Sequence, residues 1–465
     1  VKALLVKPKP VLATINRLKP LLFHEPLELA YLAAASPDWA DVRILDLRLH
    51  DDPLAAFRRE LAASPPDVLG LTGFTTDYAT MLSLCHEARK LAPQAKTVVG
   101  GHHATVRPAD FQSSDVDFVV RGEGCAPFRL LLERLQAGAN PAGIPHCLTA
   151  GDCSTPGPLP SHPELDSLPA PRRSLYHFRD YSCVWPSMSH PKGETIFPPV
   201  ALFRSSFGCV MNCSFCVVPL LSGGRHLVRA VRGVVEEIQG LEAGHVYFCD
   251  DETFTNTVYI RQLAEALGAA GARKRYFAWA RSTTVLRKPE LFALWRRIGL
   301  DAVFLGFEAA TDAELRDVSK QATVAENERA HRILLDLGVA VVAAFMVRPD
   351  YTAADFDRLC AYVRSMPPAQ FNFTVQTPTL GSPDGDRFAS SPGLHRLHDG
   401  MHALTPTTLP LSEFHRRFAA LVELGAEKNP LRLSGSAIPP LDIHRAATAT
   451  RDYVEALREA CQDSC

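Results

Sequence analysis

Two blocks of short apolar runs, most of them followed by an amphipathic stretch, constrain this chain more than any other feature. In the first block VKALLV (1–6), VRILDL (42–47), DVLGLTG (67–73), KTVVGG (96–101) and VDFVVRG (116–122) read as buried strands. Helical stretches at 78–91 and 127–136 accompany them. Strand, helix, strand at this spacing predicts an α/β fold with a Rossmann-like, doubly wound parallel sheet. In the second block VALFRSS (200–206), HVYFCD (245–250), YFAWAR (276–281), AVFLGFE (302–308), VAVVAAFMV (339–347) and FNFTVQT (371–377) repeat the pattern, with helices at 231–241, 259–270 and 289–298. Six strand–helix units predict a partial (β/α)6 barrel. Between the blocks PGPLPSHPELDSLPAPRR (156–173) is too rich in proline for regular structure. The expected division is a first domain at 1–137, a Pro-rich connector at 138–197, a barrel at 198–380 and a small, mostly helical C-terminal cap region at 381–465. Helices are expected there at 412–428 and 451–460.

Length agrees, since 465 residues exceed what one core organises. With 49 basic and 51 acidic residues the chain has no electrostatic footprint for nucleic acid. No apolar run reaches a membrane span. Residues 1–6 read as a strand rather than a leader, so the expected location is the cytoplasm. Twelve cysteines in a reducing compartment point to metal binding before disulfides. Cys85 and Cys360, alone in apolar surroundings, read as small buried hydrophobes.

The densest cysteine group is RSSFGCVMNCSFC (204–216), which follows a strand. Cys209, Cys213 and Cys216, at C-x3-C-x2-C spacing, can converge on one cuboidal cluster. They leave its fourth iron open, as catalysis at a metal requires. A zinc site would need a further ligand, and His226 is the nearest downstream candidate.

This motif, with Phe215 before the third cysteine, resembles that of the radical S-adenosylmethionine (SAM) superfamily, and the resemblance runs over 199–380. It implies a [4Fe-4S] cluster whose open iron is chelated by SAM, and a 5′-deoxyadenosyl radical formed by one-electron cleavage. The electron would come from a donor such as flavodoxin or ferredoxin. It further implies that Asp250, Asp251 and Glu252, in YFCDDETFT, hold the methionine end of SAM. Arg281 would bind its carboxylate or ribose, and Glu308 would lie near ribose and methionine. From the residues alone, Asp251 can equally cap the next helix and Arg281 can pair with a carboxylate. A Gly-x-Pro turn common in relatives is replaced by Val347-Arg348-Pro349, which makes Arg348 a candidate for a substrate carboxylate.

The first block resembles the B12-binding domain fused to one large radical SAM class. The segments that carry this are HEPLELAYLAA (24–34), LGLTGFTTDY (69–78), VVGGHHATVRPAD (98–110) and VDFVVRGEGCAPF (116–128). Gly73, Thr75, Thr76, Gly100, Gly101, Gly122 and Glu123 would line the cobalamin pocket, glycine permitting close backbone approach at strand ends. The axial-ligand motif D-x-H-x-x-G is absent, since 46–50 reads DLRLH. Cobalamin is therefore expected base-off, with none of His50, His102 and His103 on cobalt. A vestigial domain without cofactor is the alternative.

QTPTLGSP (376–383) and LHDGMHALTPTTLPLSEFHRRF (397–418) are similar to the hopanoid-methylase-like and bacteriochlorophyll-cyclase-like branch of this class. The expected reaction is radical methyl transfer from cobalamin to an unactivated carbon of a small-molecule or lipid substrate. The rival is sulfur insertion or sulfur-for-oxygen exchange, with Cys183, Cys461 and Cys465 holding a second iron–sulfur cluster. A non-catalytic, cluster-bearing scaffold is a third class.

Overall fold

The first apolar block forms six strands: β1 (Lys2–Lys7), β2 (Asp41–Asp46), β3 (Val68–Thr72), β4 (Lys96–Gly100), β5 (Phe118–Val120) and β6 (Cys147–Thr149). They lie in the order β2-β1-β3-β4-β5-β6. The first five are mutually parallel and β6 joins antiparallel. Strand order reverses between β1 and β3, the switch point at which such sheets bind ligands beyond their carboxyl ends. Alternate residues feed two cores. Leu4, Val6, Leu69, Leu71 and Val99 pack on one face with Phe57, Met81 and Phe111. Ala3, Leu5, Val68 and Val98 pack on the other with Leu29, Phe128 and Leu131. This computed structural model describes residues 1–18, 22–188, 195–385, 392–428, 451–452 and 454–459.

The chain divides into two compact units, and neither is contiguous. The first comprises residues 1–12, 26–177 and 389–398, and the second 13–25, 178–388 and 399–465.

The second unit is built on β7 (Val200–Phe203), β8 (His245–Phe248), β9 (Arg275–Ala280), β10 (Leu300–Glu308), β11 (Ala340–Val347) and β12 (Gln370–Val375). All are parallel and hydrogen-bonded in chain order. The result is a curled, unclosed half-barrel. Its outward residues, among them Phe203, Phe248, Tyr276, Leu305 and Phe345, are buried beneath the surrounding helices. Its inward residues form a separate apolar cluster with Val200, Tyr247, Phe277 and Val342, bordered by Leu202, Trp279 and Phe304. Trp185 plugs this lumen, and its indole Nε1 donates to Asp301 at 3.1 Å.

The C-terminal helix Leu411–Lys428 buries Phe414, Phe418 and Leu421 in the outer core with Phe371 and Phe373. It extends the outer helical layer instead of closing the mouth. Among the described residues no helix is long and apolar enough to cross a membrane.

Candidate cofactor sites

The cluster loop leaves the carboxyl end of β7 and is held from below by the end of β8. Asp250, almost fully buried, accepts from the Ser205 and Ser206 backbone N–H groups, both at 2.8 Å, and from Ser205 Oγ at 2.7 Å. Asp251 accepts from the Gly208 N–H at 2.7 Å. Gly208 has φ +93°, and a Cβ there would lie 2.1 Å from the Arg225 carbonyl, so only glycine fits before Cys209. Asp250 and Asp251, expected beside SAM, thus spend oxygens on shaping the loop. Farther along, Cys216 N–H donates to the Cys213 carbonyl at 3.1 Å. Ser214 N–H donates to the Val318 carbonyl at 3.2 Å, and Ser214 Oγ to Asp384 Oδ2 at 2.8 Å.

The three thiols fit a cluster better than one ion. Ligands of a tetrahedral zinc stand about 3.8 Å apart for Zn–S of about 2.3 Å. Cys209, Cys213 and Cys216, with or without His226, form no set within 4.8 Å of one another among the described residues. Burial pushes Cys216 up to about 11 and Cys209 above the usual thiol range, with the neighbouring cysteines adding to the shift. Ligating thiolates therefore depend on the positive charge that bound iron brings.

Around the loop stand Glu252, Arg281 and Glu308. Glu252 is 4% exposed, and burial pushes its carboxyl up to about 7. One oxygen accepts from Thr255 Oγ1, while Oε1 has no hydrogen-bond partner among the described residues. Of the three acidic residues on this segment, Glu252 is the one left with a buried oxygen to offer a cation. Arg281 Nη1 lies 4.0 Å from Cys213 Sγ, and its Nη2 donates to the Lys320 carbonyl at 2.5 Å. Lys320, which the sequence reading missed, donates Nζ to Glu308 Oε1 at 2.6 Å. Glu308, Ser319 and Gln321 all have positive φ (61°, 54° and 53°), strain of a kind that gathers at ligand sites. No composition or spacing signal marks Ser-Lys-Gln for this role. Arg348 is already paired with Asp317 and Asp350, at 2.7 and 2.6 Å, so the substrate-carboxylate reading finds it occupied.

In the first unit the expected pocket residues follow the carboxyl ends of β3, β4 and β5. Gly101 has φ +93°, and a Cβ there would lie 2.7 Å from the Gly73 carbonyl. Gly100 precedes it at the end of β4. Thr105 Oγ1 donates to the Gly101 carbonyl at 2.8 Å and accepts from Gly122 N–H at 3.0 Å, tying the two strand ends together. Thr75 and Thr76 are buried. Glu123 is turned inward on its own chain, accepting from Cys125 N–H at 2.9 Å. His103 is engaged through both ring nitrogens, Nδ1 with Thr75 Oγ1 at 3.3 Å and Nε2 with Asp110 Oδ2 at 3.1 Å.

Cys183 is fully buried among Trp185, Tyr247 and Phe277, and its thiol donates to the Val184 carbonyl at 3.2 Å. Burial drives its pKa far above the ordinary range, so it behaves as a small apolar residue. Cys461 and Cys465 lie outside the described residues.

Two stretches of the chain match two known families. Residues 13–132 match the B12 binding domain, and residues 204–363 match the radical SAM superfamily. The chain is 28% identical over 421 residues to hopanoid C-3 methylase of Methylococcus capsulatus, spanning 89% of this chain and 78% of that protein. It is 26% identical over 371 residues to the anaerobic magnesium-protoporphyrin IX monomethyl ester cyclase of Rubrivivax gelatinosus, spanning 76% and 64%. The structure of the radical SAM methyltransferase TsrM from Kitasatospora setae, with cobalamin and a [4Fe-4S] cluster bound, has the same fold. Its TM-score is 0.66 at 17% identity, over 100% of this chain and 99% of that one.

Proposed function

We propose, from the premise that this chain is a radical SAM enzyme with an N-terminal B12 binding domain, that it methylates an unactivated carbon of an apolar small molecule or lipid. The [4Fe-4S] cluster, SAM and cobalamin that these domains carry supply, when bound, a 5′-deoxyadenosyl radical and a transferable methyl group. The protein's own work is holding and sheltering. Cys209, Cys213 and Cys216 would ligate the cluster on a loop pinned by Asp250 and Asp251. Glu252 Oε1 would accept from the SAM ammonium, and Arg281 would stand beside the cluster. Gly73, Thr75, Thr76, Gly100, Gly101 and Gly122 would border a cobalamin bound base-off. His103 is committed elsewhere and supports that reading.

The observation that carries methyl transfer is the likeness to a methylase along 89% of the chain, both units included. The lumen supports an apolar target. Trp279 and Phe304 pack with ring centroids 3.9 Å apart and planes tilted by 31°, and with Leu202 they form a partly buried wall beside the plugged core. Such a wall excludes water from a carbon radical and offers hydrocarbon its preferred surroundings.

The test is anaerobic turnover of reconstituted enzyme with methyl-deuterated SAM, a one-electron donor such as flavodoxin or ferredoxin, and an isoprenoid lipid extract. Methyl transfer predicts S-adenosylhomocysteine and 5′-deoxyadenosine in near-equal amounts and three deuteriums in the product. Without cobalamin, S-adenosylhomocysteine should disappear. A product with new sulfur or a new ring and no deuterium would replace this reading.

A further inference from the structure

The first unit holds a cluster of metal-ligating side chains that the cofactor chemistry leaves unused. His103 follows β4 on the short helix His102–Val106. Asp110 lies on the next turn, Pro108–Phe111. His395 comes from the turn Pro392–Leu397, far along the chain but within the same compact unit. One ligand atom from each lies within 4.8 Å of the other two. His103 Nε2 is 3.1 Å and His395 Nδ1 is 3.7 Å from Asp110 Oδ2. These spacings bracket the roughly 3.3 Å between ligand atoms of a tetrahedral zinc with bonds of about 2.0–2.1 Å.

His395 calls for an explanation. It is 1% exposed, and neither ring nitrogen makes a hydrogen bond among the described residues. Buried polar atoms without partners are rare in native proteins. Burial holds the ring down to about 4, so at neutral pH it is the neutral imidazole that binds metals. The surroundings suit a site that fixes its ligands. His103 Nδ1 meets Thr75 Oγ1 at 3.3 Å, the outer contact that orients a ligating imidazole. Tyr78 packs on both histidines, with ring centroids 4.9 and 5.3 Å away, and its hydroxyl donates to the Asp110 carbonyl at 2.9 Å.

We propose that His103, Asp110 and His395 bind one divalent metal ion of the zinc class, with a fourth position for water. Two imidazoles and a carboxylate are borderline donors that suit such an ion. On binding, His103 keeps its one ring proton on Nδ1, directed at Thr75 Oγ1, so that Nε2 is free to ligate and the cation replaces the hydrogen bond between Nε2 and Asp110 Oδ2. The ion then joins two residues of the β4–β5 connection to a segment made almost three hundred residues later, so its role is to hold that segment in the first unit.

The test uses the full-length protein with its iron–sulfur cluster reconstituted, so that the cysteine loop is filled. The protein is equilibrated with buffered Zn2+, desalted, and its zinc measured by mass spectrometry. One zinc per chain is expected, with affinity falling at least tenfold in His395→Ala and in His103→Ala, and unchanged in His331→Gln. Zinc-edge X-ray absorption should show only nitrogen and oxygen ligands, with imidazole scattering. His395→Cys should keep the zinc and gain one sulfur near 2.3 Å, a result that misfolding does not produce. No zinc above background in the wild type, equal zinc in His395→Ala, or sulfur in the wild-type shell would each overturn the proposal.

Discussion

Asp250 gives the sharpest test of how the cluster loop is built. Its carboxylate takes three hydrogen bonds from Ser205 and Ser206 in a buried position. Asp250→Ala would strand two buried backbone N–H groups, at about 1–3 kcal/mol each, so about 2–6 kcal/mol is lost. At about 2 °C per kcal/mol for a unit of this size, the melting temperature of the second unit should fall by roughly 4–12 °C. Asp250→Asn behaves differently. Its amide oxygen still accepts from both N–H groups, and its NH2 donates to a Ser205 hydroxyl that rotates to accept. The substitution also removes a charge that burial disfavours, since the carboxyl is pushed up to about 6. This offsets the weaker hydrogen bonds to a neutral acceptor, and the expected change is within about 2 °C. Scanning calorimetry of both variants, iron content after reconstitution and SAM binding make up the assay. Asp250→Ala should retain less than half of the wild-type iron, and Asp250→Asn nearly all. A normal melting temperature for Asp250→Asn with SAM binding weakened tenfold or more would make Asp250 a SAM ligand and refute the anchor.

Glu252→Gln should weaken SAM binding about tenfold, the scale of a charge-assisted hydrogen bond. Because burial raises the Glu252 carboxyl to about 7, wild-type affinity should increase as pH rises from 6 to 8 and the carboxylate ionises; a flat profile by equilibrium dialysis argues against this role. Gly101→Ala forces a Cβ to 2.7 Å from the Gly73 carbonyl at positive φ. It should cost about 1–3 kcal/mol and reduce cobalamin retained after desalting, and unchanged cobalt would contradict the geometry. His331 and His415 are buried and held down to about 4. Between pH 6.5 and 4 the unfolded chain binds protons that the folded one does not, so each lowers stability by about 1.4 kcal/mol per pH unit as pH falls. Urea midpoints at pH 7.5 and 5.5 should show that loss, and a smaller one in His331→Gln.

Most of the fold was legible because its strands are apolar runs of ordinary length. The helix Tyr78–Leu91 occupies the residues expected of it, and the six strands of the half-barrel appear in the order the alternation implies. Cys147–Thr149 was missed, since three residues of mixed polarity carry no periodicity. The cluster cysteines were legible because one loop supplies all three. The acidic run Asp250–Glu252 was legible as a group but not by role. Which oxygen meets a loop N–H and which is left over depends on strand ends that only folding brings together. Lys320 and His395 gain their meaning from partners on other segments, and a sequence pattern of polar residues does not announce such pairings.

The discontinuity of the first unit has a consequence for synthesis. Its sheet and helices are complete once residue 177 has emerged, yet its last piece, residues 389–398, follows about 220 residues later. At roughly 5–20 residues per second, the nascent unit waits some 10–45 s for that piece. Through that interval Tyr78 and His103, which His395 later abuts, face the ribosome and its chaperones with one neighbour missing. Final locking of the first unit is thus delayed until most of the second has been synthesised, and its timing is set by elongation of the second.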